Sequence, residues 1–113
     1  MQDENIALRY LFIDLAIKNL ELDMKHIHNG PFKIKDPYMQ FLEKMILKLI
    51  NERRQLKKQM YQKRLQVNFL YKRGDYSTYK FIFNGKEKER SFMNHVLKKN
   101  VKEIIESLFK EGS

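Results

Sequence analysis

Cysteine and tryptophan are absent from this 113-residue chain, which holds only 4 glycines and 2 prolines. Without cysteine there is neither a disulfide framework nor a thiolate metal site. So little glycine leaves scant material for a phosphate-cradling loop or a nucleophile elbow, and no motif of either kind is present. Paired nuclease-type carboxylates are missing as well, so a non-enzymatic protein without a cofactor is expected. The most apolar stretch, Ile6 to Ile17, is interrupted by Arg9 and Asp14, whereas a transmembrane helix needs about 20 apolar residues. The opening MQDENIALRY lacks the basic segment of a signal peptide, and a cytoplasmic protein is expected.

What is present is bulky and basic. The 8 Phe and 6 Tyr, within 42% hydrophobic residues, supply enough core material for one folded domain over residues 1–113. The formal net charge is +9. Residues 1–50 hold seven Lys or Arg and seven Asp or Glu, while residues 51–113 hold sixteen and seven, so the whole excess lies in the second half. A surplus placed this way predicts attraction to an anionic partner and says nothing about the fold.

Ile6, Tyr10, Ile13, Ile17, Leu20 and Met24 recur at helical spacing and predict a first helix over about residues 5–27. Leu8, Phe12, Leu15 and Leu22 fall on another side, so this helix is either central in the domain or half of a homodimer interface. Asn29-Gly30-Pro31 stops it. PFKIK then connects to a second helix opened by Asp36 and Pro37, the pair forming an antiparallel hairpin. The second helix runs to about Gln66, which makes it longer than its partner. From Val67 the period changes to two: Val67, Phe69 and Tyr71, then Tyr79, Phe81 and Phe83, predict a β-hairpin with these aromatics on one core-facing side. Asn84-Gly85 is a strong turn signal, after which KEKER is either a short charged edge strand or a loop. Ser91 is the expected N-cap of a last helix striped by Met93, Val96, Leu97, Val101, Ile104, Ile105 and Leu108. The fold class is therefore α+β, in the order α-α-β-β-α with an optional third strand.

The functional reading turns on NERRQLKKQMYQKR, residues 51–64, with six cations and one acid. On a helical wheel Leu42, Leu49, Leu56 and Met60 share a sector about 40° wide, with Arg53 inside it and Lys57 and Arg64 at its border. Good helix formers with snorkelling stems would produce an ordinary solvated face. Against that, no carboxylate follows Glu52 until Asp75, so the i,i+4 pairs that normally lace such a face are missing. Arg53, Arg54, Lys57, Lys58, Lys63 and Arg64 are accordingly candidate phosphate contacts. Lys72, Arg73, Tyr76 and Lys80 of the hairpin join them, because aromatic faces interleaved with cations stack on unpaired bases. The RGD at 73–75 is read as a turn.

Other chemistry is thin. His26 and His28 form an H-x-H pair with no further ligand at a recognised spacing, so no metal is expected. His95 is expected to be partly exposed, and Asp14 to pair with Lys18 one turn on. A membrane-surface role is disfavoured because residues 51–64 carry only Leu56, Met60 and Tyr61 opposite their cations. Two expectations result. The first is a nucleic-acid-associated protein, DNA or RNA, dimeric through helix one. The second is a protein interaction module, an adaptor or inhibitor of the sort encoded in regulatory or mobile-element operons, docking an acidic protein partner on the same basic helix or on helix one.

Overall fold

The computed structural model describes residues 2–31 and 36–112; most of the PFKIK connection lies outside the described residues. Three helices and an antiparallel sheet follow in the order α1 (Gln2–Asn29), α2 (Asp36–Lys63), β1 (Leu65–Arg73), β2 (Tyr76–Phe83), β3 (Lys86–Met93) and α3 (Asn94–Gly112). The fold is α+β, with sheet order β1-β2-β3. KEKER does form a strand, running on through Ser91 to Met93. Its alternating charges suit an edge position, where exposed backbone groups would otherwise invite another strand.

Helix α1 is central, and both of its apolar faces are covered within the chain. Ile13, Ala16, Ile17 and Leu20 pack with Leu42, Met45, Ile46 and Leu49 of α2 and with Val101, Ile104 and Leu108 of α3. One turn away, Ala7 and Leu11 pack with Met60, Leu65, Tyr79, Phe81 and Leu97. Phe12 and Leu15 touch both clusters. Among the described residues of α1, Leu22 is the large apolar side chain left about half exposed.

Three expectations about local structure need correction. Both α1 and α2 have 28 residues, so the basic end of α2 does not overhang its partner; α1 starts at Gln2, and its first-turn acids reach that end. Ser91 is not a cap: its hydroxyl meets Thr78 Oγ1 across the sheet at 2.7 Å, Met93 closes β3, and α3 starts at Asn94. Asn94 is fixed there by its backbone N–H donating to the Asp75 carbonyl at 2.7 Å and by Ser77 Oγ donating to its side-chain oxygen at 2.6 Å.

The third correction concerns β1. Phe69 pairs with Tyr79, but Tyr71 pairs with Thr78, so a β-bulge at Leu70 breaks the alternation. Directly opposed residues share a sheet face. Tyr71, opposite Thr78, therefore lies on the outer face rather than with Phe69, Tyr79, Phe81 and Phe83, and Lys72, opposite Ser77, turns inward. The turns agree with the sequence: Asn84 and Gly85 both adopt positive φ, at 52° and 87°, as a tight twisted hairpin turn requires.

Phe81 is wholly buried between the sheet and α1, so Phe81→Ala should cost about 3–5 kcal/mol in urea unfolding. Burial raises the pKa of Tyr79 above its usual value near 10.0, with Lys18 lowering and Asp14 raising it by smaller amounts. The folded state then holds this proton more tightly than the unfolded one, so the stabilisation is complete below pH 10 and is lost as pH rises through the folded pKa. Tyr79→Phe should flatten that alkaline decline, as measured by unfolding at a series of pH values.

Candidate nucleic-acid interface

The end of α2 is where cations outnumber acids in sequence, and two acids of α1, Asp14 and Asp3, meet part of that surplus in space. Arg53 Nη1 donates to Asp14 Oδ1 at 2.7 Å, a partly buried contact that also explains how a guanidinium can sit in the apolar sector. Asp14 pairs with Lys18 at 3.0 Å as well. Lys63 reaches Asp3 at 3.4 Å. Glu4 holds Arg90 of β3, whose guanidinium lies over the Phe92 ring at 5.0 Å. In the opposite sense Arg9 donates twice to Glu52, at 2.6 and 3.1 Å. Arg53 and Lys63 are thus charge partners of the core helix and drop out of the candidate interface.

The remaining cations on this stretch are open. Among the described residues Arg54 donates to the neutral Asn51 side chain, at 3.3 Å, and meets no carboxylate. Lys57, Lys58 and Arg64 have no carboxylate partner among the described residues. Arg54, Lys57 and Lys58 line a shallow recess of about 330 Å³ with Gln62 and Tyr61, whose ring is 87% exposed. In sequence Tyr61 stands out only as apolar bulk; its place about 100° from the Leu42 seam on the helical wheel is the signal that it faces outward. Arg64 occupies the left-handed region with φ 57°, ending α2 where glycine is the usual occupant. Its carbonyl accepts from the Asn84 N–H at 3.1 Å, tying this end of α2 to the β2–β3 turn.

From there the surface continues onto the sheet. A second recess of about 270 Å³ joins Lys57 and Tyr61 to Gln66 and Asn68 of β1. Those two residues lie opposite Ile82 and Lys80, on the outer face. Farther along the same face stand Tyr71, Arg73 and Tyr76. Arg73 lies 5.4 Å from the centre of the Tyr71 ring and is paired across the strands with Tyr76. Neither apolar cluster includes these two tyrosines; they are 43% and 47% exposed. Lys80 is on this face but is matched by Glu87 at 3.4 Å, and Lys72 has been turned to the other side by the bulge. The arrangement gathers Arg54, Lys57, Lys58 and Tyr61 at the end of α2, sets Arg64 at the junction with β1, and places Tyr71, Arg73 and Tyr76 at the far end of the outer sheet face. It separates them from Arg53, Lys63, Lys72 and Lys80.

No cluster of three or more His, Asp or Glu residues suited to a metal occurs among the described residues, and His26 and His28 lie in the last turn of α1. No helix among the described residues is long and apolar enough to cross a membrane.

In comparison with known proteins, the family described as YhjD protein matches residues 1–113. The uncharacterized protein YhjD of Bacillus subtilis (strain 168) is 21% identical over 107 residues, covering 93% of this chain and 89% of that relative. No solved structure matches.

Asp14 is the acid on which two cations converge. Asp14→Asn should lower unfolding free energy by about 1–2 kcal/mol. In a double-mutant cycle with Arg53→Gln the two losses should be less than additive, because the pair is one interaction.

Proposed function

For this chain, which belongs to the YhjD protein family, we propose a non-enzymatic role in the cytoplasm, binding nucleic acid along a path from the end of α2 onto the outer face of the sheet. Arg54, Lys57, Lys58 and Arg64 receive phosphates. Tyr61, Tyr71 and Tyr76 offer ring faces to unpaired bases, and Arg73 supplies a further cation beside them. The observation that carries this reading is the exposed Tyr61 ring set among three cations that no carboxylate of the described residues neutralises. Like charges crowded on one helical turn repel, and a phosphate chain relieves that repulsion while releasing its own counterions.

An acidic protein would satisfy the same cations. The aromatic rings favour nucleic acid, because every base has a face to stack and stacking contributes about 1–3 kcal/mol per base. Dimerisation through α1 has less to support it than the sequence suggested. Its two apolar faces are occupied by α2, α3 and the sheet, which leaves Leu22, about half exposed, as the large apolar contact still open among the described residues of α1.

The test is a polarization titration of oligo-dT and of duplex DNA of equal length at several salt concentrations. Changing Arg54, Lys57 and Lys58 together to Gln should weaken oligo-dT binding by at least about tenfold and flatten the salt slope by about 2, at roughly 0.7 per phosphate contact. Tyr71→Ala with Tyr76→Ala should weaken oligo-dT more than duplex. Unchanged affinity in the triple variant would sink the proposal.

A further inference from the structure

The bulge in β1 has a second effect, on the opposite side of the sheet. Regular alternation would have pointed Tyr71 inward, toward α3. The bulge instead sends Lys72 there, opposite Ser77, beside a groove of about 660 Å³ between α1, α3 and the inner sheet face. The groove's apolar wall consists of Leu15 and Leu22 from α1 and Leu97, Val101, Ile105 and Phe109 from α3. Leu22 and Phe109 are about half exposed, whereas Leu97 and Val101 are buried, so the wall opens to solvent mainly at its Leu22 and Phe109 end. From Asn94 to Phe109 it follows α3 for about 22 Å at 1.5 Å per residue.

Charge is distributed unevenly around it. Lys18 is held by Asp14 and Lys102 by Glu106. Lys72 and Lys98 also line the groove and have no carboxylate partner among the described residues. They converge on one place: Lys72 is the cross-strand partner of Ser77, Ser77 bonds Asn94, and Lys98 is one helical turn beyond Asn94. Asp23, which follows Leu22, is a carboxylate of the lining with no cationic partner among the described residues, so an anionic group is disfavoured near it. The groove therefore has an apolar trough with two free ammonium groups gathered at the start of α3.

We propose that this groove binds a free long-chain carboxylate, with its head between Lys72 and Lys98 and its apolar tail along Leu97, Val101, Ile105 and Phe109. The volume lies in the range of small-molecule sites. Free cations at one place, with already neutralised pairs elsewhere along the wall, match a ligand carrying one charge on an apolar tail. An acidic amphipathic helix carries charge along its whole length. A second copy of this chain, at net +9, would bring more cations to the same place. The residues are distinct from those proposed for nucleic acid, so either reading can fail alone.

The experiment is a titration of the isotopically labelled full chain with sodium laurate and dodecyltrimethylammonium, each below its micelle concentration, and dodecanol, below its solubility limit, followed by amide chemical shifts. Laurate should shift Lys72, Lys98, Ile105 and Phe109 and bind at least about tenfold more tightly than dodecanol, with the cationic amphiphile weaker still. Lys72→Gln with Lys98→Gln, both at exposed positions, should erase the preference for laurate over dodecanol while leaving the fold intact. Equal binding of all three amphiphiles would mean unspecific surfactant adsorption and would overturn the assignment, as would laurate shifts confined to other surfaces. Silence toward laurate, with the same residues shifted by a helical Leu/Glu peptide, would give the groove to a protein partner and overturn it too.

Discussion

Helix α1 must be buried on two sides at once, and the rest of the molecule is arranged around that requirement. Its apolar residues exceed what one neighbouring helix can cover, so α2 and α3 take one side and the three-stranded sheet takes another. Ala7 and Ala16, both at zero exposure, let these neighbours approach closely. The requirement also fixes the ends of the helix pair. Equal lengths of α1 and α2 bring the acidic first turn of α1 to the basic last turn of α2, where opposite dipole ends and opposite charges reinforce one another.

This neighbourhood sorts the cations into two populations. Arg53, Lys63 and Arg90 are consumed by Asp14, Asp3 and Glu4, acids that lie 39, 60 and 86 residues away in sequence. Arg54 and Lys58 are close to Arg53 along the chain but point away from α1, and Lys57 sits at the margin between the two sides, sharing a recess with Tyr10 of α1. The difference is one of helical phase: a rotation of 100° per residue decides whether a side chain meets the acidic helix or solvent. Net charge predicts that something anionic is attracted; only helical phase says which side chains are free to meet it.

The elements were largely legible because their signals are local: the 3.6 period of the helices, the alternation of the strands, the Asn84-Gly85 turn and the Asp36-Pro37 start. Three features were not. The pairing of Arg53 with Asp14 and of Lys63 with Asp3 depends on the relative placement of two helices, which no single window contains. The bulge at Leu70 is invisible to a period-two pattern, because Phe69 and Tyr71 satisfy that pattern as written; the reversal appears only when β1 is registered against β2. Ser91 resembled a cap, yet a Ser at the end of a charged strand serves equally well as a cross-strand partner, here for Thr78. In each case sequence identified the residue type correctly, and tertiary pairing decided its role.

The central position of α1 also bears on how the protein is made. Synthesis proceeds from the amino-terminal end, and α3, the last of the six elements, supplies Val101, Ile104 and Leu108 to the cluster around Ile13, Ile17 and Leu20. Until those residues leave the ribosome, a strip of α1 and α2 stays uncovered beside a newly formed sheet whose β1 edge carries no charge from Leu65 to Tyr71. Such a nascent chain presents both an apolar strip and an undefended strand edge to its neighbours. Crowding on adjacent ribosomes, rather than the stability of the finished fold, then sets the stage at which this protein is most exposed to aggregation.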